Sequence, residues 1–528
     1  MSGKIIETAG EEIIISGESI SLRANDGNFV TNAGANNNWH AKEGHEMGDF
    51  EAVKVDSEKE IHLEIGVFFD GTLNNKFNTN LGIEGAPSKI KMFTGSYRND
   101  HTNVARLSDL YLDETEDVDD TQTVKFPIYV GGVGTSLGKV DDIITMGTGE
   151  DVPAALKIGA SVLLGGLGLI IAEGYDIWNG DRSIKGKVND AIRDIVKRIV
   201  FLKIKKIKSI TFDVFGFSRG AASARHFCNG LKETVIEIDR KYNMKGWQDV
   251  SFTETKTSNV GGDLYKKLIG KVTEIPTQFN IRFIGLFDTV AAVLKMDAGD
   301  FSADDASHHG IHLDVSGLKA QKVVHLTAQD EHRKNFSLNS ISTGSTYRMY
   351  GVHSDIGGGY NTEIETVSLG HGTKESDKAR LENERLQWIK EGWYLEGEIT
   401  VENNSVITTK KVRQGTLITT IKHSYLLIGT KKVFNHYTFI PLHFMHLLAK
   451  NSKVPLKGVK EDHKVPEDLK KVDKIYKTFV RTEQTPEISD DDLRLLRHKY
   501  IHQSANFNNP TLGVYANAPV KERSEFEN

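Results

Sequence analysis

The chain has 528 residues, with 66 Lys and Arg against 72 Asp and Glu for a formal net charge of −6, and 38% of it is hydrophobic. A length of that order suggests roughly two to four folding units, and so even a balance excludes a bulk nucleic-acid binder, although a local basic patch stays open. The single cysteine, Cys228, excludes an internal disulfide framework and a cysteine-rich zinc site.

The first stretch, "MSGKIIETAGEEIII", lacks the cationic segment and long apolar core of a signal peptide. Synthesis in the cytoplasm is therefore expected, with any export by another route. Residues 1–55 alternate short apolar runs with Gly and Asn, which reads as a small β-rich segment. From Ile61 to about Ile440 apolar strands alternate with amphipathic helices, the pattern of a parallel sheet covered on both faces. The predicted strands are "IHLEIGVFFD", "KFPIYV", "SITFDVFGF", "FNIRFIGLFD" and "TYRMYGVH", and "QKVVHLTAQDEHRKNF" reads as helical. A lysine-rich β insertion spans 395–430, and a charged helical tail, 457–528, is expected to pack on the catalytic domain, 56–456.

The run "VFFDGTLNN" ends in Asp-Gly-Thr at Asp70, as in phosphatases that attack phosphate with the first aspartate of Asp-x-Asp-Gly-Thr. Here Phe68 stands where that nucleophile belongs, so the chemistry lies elsewhere. "GGVGTSLGKV" places Val133 and Val140 where a phosphate loop needs Gly and Ser or Thr. The acidic run "DETEDVDD" lacks the glycine of a calcium loop and reads as solvated surface. Within the apolar insertion 140–182, Ile158–Ala172 falls short of the roughly 18 residues that span a bilayer. It reads as a buried segment, with a lipid-facing lid as the alternative.

The strongest signal is Gly216-Phe217-Ser218-Arg219-Gly220 between a β-rich run and the small helix formers Ala221–Ala224. A G-x-S-x-G string at a strand-to-helix turn is a nucleophile elbow: glycines let backbone pass a strained serine, and the helix N-terminus faces the oxyanion of acyl transfer. Serine needs a base held by a carboxylate, and Asp288 and His353 follow at two strand ends in the expected order. His502 is the rival base and Asp355 the rival carboxylate. Asp330, Glu331 and Arg333 read as a solvated or salt-bridged face around His325. His308, His309 and His312 in "SHHGIH" read as a loop rather than a metal site. The loop after the first strand supplies the remaining oxyanion donor, Gly71 or Thr72, beside the N–H of Arg219, with Asp70 shaping the loop.

The segments "FFDGTLNN", "TNVARL", "YVGGVGT", "FGFSRGAASAR", "GLFDTVAA", "HLTAQDEHRKNF", "GVHSDIGGGY" and "IPLHFM", in this order over about Ile61–Ala449, resemble an α/β-hydrolase family of formerly unknown function shared by fungal proteins and bacterial type VI secretion lipase effectors. The resemblance implies phospholipase A type ester hydrolysis in a rival bacterium's envelope, with membrane phospholipids as substrate. It also implies delivery on secretion spike or tube components and a cognate immunity protein. Carried over residue by residue it supports Ser218, Asp288 and His353. The expected fold is α/β, α/β-hydrolase-like, with insertions and a small N-terminal β segment suited to spike docking. No cofactor, metal or nucleic acid is expected; calcium is left open with no motif indicating it. The alternatives are a soluble carboxylesterase or thioesterase without a membrane role, and a non-catalytic spike-associated binding protein on a hydrolase scaffold.

Overall fold

The computed structural model describes residues 55–56, 59–83, 95–139, 141, 182–245, 249–291, 310–333, 336–411, 417–482, 487–505 and 523–526. The expectations for the N-terminal β segment, for most of the apolar insertion 140–182 and for His308 and His309 lie outside the described residues.

In chain order the strands are β1 (Glu60–Phe69), β2 (Glu114–Val118), β3 (Thr121–Val130), β4 (Ser209–Phe217), β5 (Thr234–Lys245), β6 (Asp249–Val260), β7 (Phe279–Phe287) and β8 (Lys322–Ala328). They continue with β9 (Leu338–Asn339), β10 (Ser345–Met349), β11 (Glu363–Gly372), β12 (Ile399–Asn403), β13 (Val406–Lys411), β14 (Leu417–Lys422), β15 (Tyr425–Val433) and β16 (Glu525–Phe526). Seven of them form one sheet in the order β10-β8-β7-β4-β1-β3-β2. Every pairing in it is parallel except β2 with β3.

A parallel sheet buried on both faces needs strands apolar at successive positions, and β1 shows how this is met. Ile61, Leu63, Ile65, Val67 and Phe69 pack in one core, with helices Ile184–Phe201 and Arg219–Gly230. Phe68 faces the other core, with helices Asn103–Leu110 and Phe439–Asn451. There it stacks on Phe215 at 5.0 Å, and Phe215 meets Phe283 at 5.4 Å, an aromatic row across β1, β4 and β7. The α/β-hydrolase-like expectation therefore holds.

The segment "QKVVHLTAQDEHRKNF" corrects the sequence reading. Lys322–Ala328 is strand β8, not a helix; a seven-residue segment buried at six successive positions carries no period that separates helix from strand. The lysine-rich region forms the hairpin β13-β14 and supplies β12 and most of β15 to the antiparallel sheet β11-β15-β12. Helices Lys470–Thr482 and Asp490–Lys499 pack in the same core as β10: Tyr347 meets Phe479 at 5.1 Å and Phe444 at 5.0 Å. Among the described residues no helix is long and apolar enough to cross a membrane.

One charged cluster lies inside the sheet layer. Fully buried Asp213 on β4 accepts from Arg282 at 2.9 and 2.5 Å and from Tyr111 at 2.8 Å, and Arg282 also reaches Glu64 at 2.8 Å. Removing one partner of a buried pair strands the other's charge. Asp213→Ala is expected to cost about 3–5 kcal/mol, read as a lowered urea midpoint with an unchanged slope.

Candidate active site

The carboxyl ends of β4, β7, β8 and β10 carry the site. At the end of β4, Ser218 has φ 58° and ψ −127°, a strained left-handed turn that opens directly into helix Arg219–Gly230. The two glycines of the motif are sterically required. A Cβ on Gly216 would lie 2.4 Å from the Gly220 carbonyl oxygen, and one on Gly220 would lie 2.2 Å from the Asp70 carbonyl oxygen. The loop after β1 therefore sits against the start of the elbow helix. The Ser218 N–H donates to Phe287 O at 3.0 Å, tying the turn to the end of β7 beside Asp288.

Asp288 is fully buried with φ 44°. Its Oδ1 accepts from Ala328 N at 2.9 Å and Arg523 at 2.7 Å, and its Oδ2 from His353 Nδ1 at 2.5 Å and Arg523 at 2.8 Å. Burial pushes this carboxyl up, but the Arg523 guanidinium and the His353 contact outweigh it and hold it well below the usual carboxylate range. His353 is also buried, and burial lowers its affinity for a proton more than Asp288 raises it. With Nδ1 toward a carboxylate, the neutral ring carries its proton there and keeps the Nε2 lone pair for a base's work.

The His353 ring lies between Phe217 at 4.6 Å and Phe336 at 5.0 Å, so the residue preceding Ser218 touches the imidazole. Its backbone N–H donates to Glu331 Oε2 at 3.2 Å. Glu331 is itself buried, paired with Arg333 at 2.9 Å and bonded to Ser504 at 3.0 Å. The sequence reading of Glu331 and Arg333 as a solvated or salt-bridged face is thus half right: they are paired, but inside the site. His353 opens the short helix His353–Gly357 rather than ending a strand. The glycines after it serve close approach: a Cβ on Gly357 would meet the Phe217 ring at 2.0 Å, and one on Gly358 would meet Thr102 and Asn103 at 2.8 Å.

The rival residues pair with each other. His502 Nδ1 contacts Asp355 Oδ1 at 2.6 Å, its ring stacks on Tyr360 at 4.2 Å, and its Nε2 is buried without a partner. Asp355 Oδ2 accepts the N–H of Val352 at 3.0 Å and of His502 at 3.2 Å, so this pair clamps the segment around 502 to the helix that carries His353. His325 lies on β8 with Nε2 accepting the Thr289 N–H at 3.1 Å, and burial drives it down to about 3, a neutral ring behind Asp288.

In the loop after β1, Asp70 Oδ1 accepts from Gly71 N at 2.7 Å and Thr102 at 2.6 Å, and Oδ2 from the Tyr129 hydroxyl. The Gly71 N–H is thereby engaged. Thr72 Oγ1 is buried with no partner, and the Arg219 N–H, first in its helix, has no intrahelical acceptor. The Arg219 guanidinium has Nε and Nη1 buried and unpartnered, and burial pulls it down to about 10. Among the described residues no group of three or more His, Cys, Asp or Glu is arranged to hold a metal ion.

The sequence reading missed Arg523, Glu331 and the two phenylalanines flanking His353. Charged residues clustered just after a strand's carboxyl end, as in "QDEHR", were a usable signal for Glu331; "KERSEFEN" offers none for Arg523.

The His502–Asp355 pair has a pH signature. Burial pulls His502 down, but Asp355 and Glu365 outweigh it and raise its proton affinity in the fold. Its stabilisation is fully present below the unfolded value of about 6.5 and fades as pH rises through the higher folded value. His502→Gln is expected to lower stability at pH 6 by about 2 kcal/mol and by less at pH 9, measured by urea unfolding at both.

The comparisons with known proteins agree with this architecture. A family model described as "T6SS, Phospholipase effector Tle1-like, catalytic domain" matches residues 64–391, more than half of the chain. A solved structure of the Tle1 effector bound to the VgrG spike from the type VI secretion system aligns with TM-score 0.61 and 22% identity, covering 92% of this chain and 98% of that one. An uncharacterized protein from Pseudomonas aeruginosa aligns with TM-score 0.34 and 18% identity, covering 83% of this chain and 52% of that one, too distant to carry an argument. No curated protein matches. The chain belongs to the family of Tle1-like phospholipase effectors of the type VI secretion system.

Proposed function

We propose that the protein is a serine hydrolase that cleaves glycerophospholipid acyl esters, a phospholipase of the A type. His353 removes the proton of Ser218, with Asp288 holding the imidazole. Ser218 attacks the ester carbonyl, and the N–H of Arg219 with a donor from Thr72 stabilises the oxyanion. The protonated His353 then returns its proton to the leaving alcohol, and water, activated by the same imidazole, releases the fatty acid. Gly71 takes a supporting part, its N–H holding the loop through Asp70.

The observation that carries the reading is the 2.5 Å contact of His353 Nδ1 with Asp288, at the end of the strand whose Phe287 carbonyl holds the strained Ser218 turn. His502 fits the role less well, because its carboxylate partner, Asp355, lies on helix His353–Gly357 and not on the strand bonded to Ser218. The unpaired Arg219 guanidinium favours a phosphodiester-bearing substrate over a neutral ester, since a buried cation without a counter-charge is stabilised by an anionic ligand. The exposed lysines 203, 205, 206 and 208 lie at the other end of β4 from Ser218, about 30 Å along a nine-residue strand. They are therefore poorly placed to seat headgroups while Ser218 works on the same membrane.

By its family the protein is an effector of the type VI system. We extend this to antibacterial action in a target cell's envelope, docking on a spike as the related effector does, and protection of the producer by an immunity protein. Native protein and Ser218→Ala are compared on phospholipid vesicles, with released fatty acid and lysophospholipid read by mass spectrometry. A loss of at least about 10⁴-fold is expected. Lipid cleavage persisting in Ser218→Ala overturns the mechanism; equal rates on monomeric short-chain esters and on micellar phospholipid would instead favour a soluble esterase.

A further inference from the structure

The Asp288 carboxylate accepts four hydrogen bonds, two of them from one guanidinium that arrives from 235 residues further along the chain. Arg523 is held where it is by more than this pair. Its Nε donates to Phe336 O at 2.6 Å, and its side chain is only 3% exposed. The residues after it form β16, which pairs parallel with β9; Leu338 N donates to Ser524 O at 2.8 Å and Ser340 N to Phe526 O at 2.9 Å. Glu525 pairs with Arg348 at 2.8 Å. The fork of Arg523 is thus pinned on both sides before it meets Asp288.

We infer that Arg523 is a positioning residue of the Ser218 site, which fixes the rotation of the Asp288 carboxylate and offsets part of its charge, so that His353 stays an unprotonated base at neutral pH. The inference rests on the triad reading above. Bidentate Arg–carboxylate geometry sets the plane of the carboxyl group, and the Oδ2 lone pair left for His353 Nδ1 then points in one direction. A carboxylate alone beside a buried histidine stabilises the imidazolium; a cation on its far side opposes that. Among the described residues, the charged groups around His353 are Asp288 from β7 and Glu331 after β8, which contact it, their partners Arg523 and Arg333, and Asp355 of its own short helix, paired with His502, with His325 neutral behind Asp288. Glu331 is balanced by Arg333 and Asp355 by His502, so Arg523 is the counter-charge to Asp288. Two charges about 6 Å apart at an effective dielectric near 20 shift a titration by more than one pH unit.

The test uses the full chain and the pH profile of kcat/KM for a soluble short-chain phospholipid, in native protein, Arg523→Gln and Arg523→Lys. For Arg523→Gln the acid limb is expected to move up by about one pH unit and kcat to fall by about tenfold or more, with KM within about twofold. Arg523→Lys keeps the charge but not the fork, so its limb stays near the native position while kcat recovers only in part. An unchanged limb and kcat in Arg523→Gln overturns the inference. So does equal loss in both variants that follows a fall in melting temperature without moving the limb. If Arg523→Gln does not fold, Arg523→Lys decides: native kcat and limb there overturn the positioning role, and lowered kcat on a native melting temperature supports it. Ser218→Ala is assayed in parallel; if it retains native activity the triad reading fails on its own, whatever Arg523 does.

Discussion

A buried carboxylate is the constraint around which this site is built. Charge taken out of water must be met by hydrogen bonds and counter-charge or it neutralises itself by taking up a proton. Asp288 meets that demand with a backbone N–H from β8, an imidazole from the helix after β10 and a guanidinium from the segment before β16. Three separate stretches of chain are thus fixed against one side chain. The same demand recurs at Glu331 and Asp355, each buried and each gripping a residue from the 502–504 stretch. The acidic groups at the carboxyl ends of the strands fasten the helical tail to the catalytic core, so the tail is part of the site's frame.

Backbone geometry imposes the second constraint. The turn at Ser218 holds a non-glycine residue at positive φ, which costs of the order of 1–3 kcal/mol and persists only where its surroundings over-determine it. Here the Phe287 carbonyl fixes the serine N–H, and the loop after β1 rests on Gly220 at a distance no side chain tolerates. Asp70 is the keystone of that loop, gathering Gly71, Thr102 and Tyr129 on one carboxylate. A resemblance to phosphatase chemistry at "FFDGT" thus ends in a structural role for the aspartate.

Much of this is legible in the sequence because the relevant signals are local. Strands β1, β3, β4 and β7 are rich in β-branched and aromatic residues and each ends in an apolar stretch, and G-x-S-x-G between a strand and a helix needs no distant information. β8 misleads because "KVVHLTA" is only seven residues long and its Lys, His and Thr follow neither a strand's alternation nor a helix's period. The candidate histidines narrow in the sequence to two residues, and only the fold reveals that each has its own carboxylate, His353 with Asp288 and His502 with Asp355. Arg523 is invisible for a different reason: its partner is 235 positions away and its own neighbours look like a polar tail. Contacts of that separation are set by the closing of the whole fold, which no window of sequence encodes.

The location of β16 also gives the molecule an order of completion. During synthesis the elbow, the strands and both histidines emerge from the ribosome long before residue 523, and until then the Asp288 carboxylate lacks its fork. A chain that has reached only the elbow, Asp288 and both histidines therefore holds a buried carboxylate without its guanidinium partner, and that partner arrives only when the segment that forms β16 has been made.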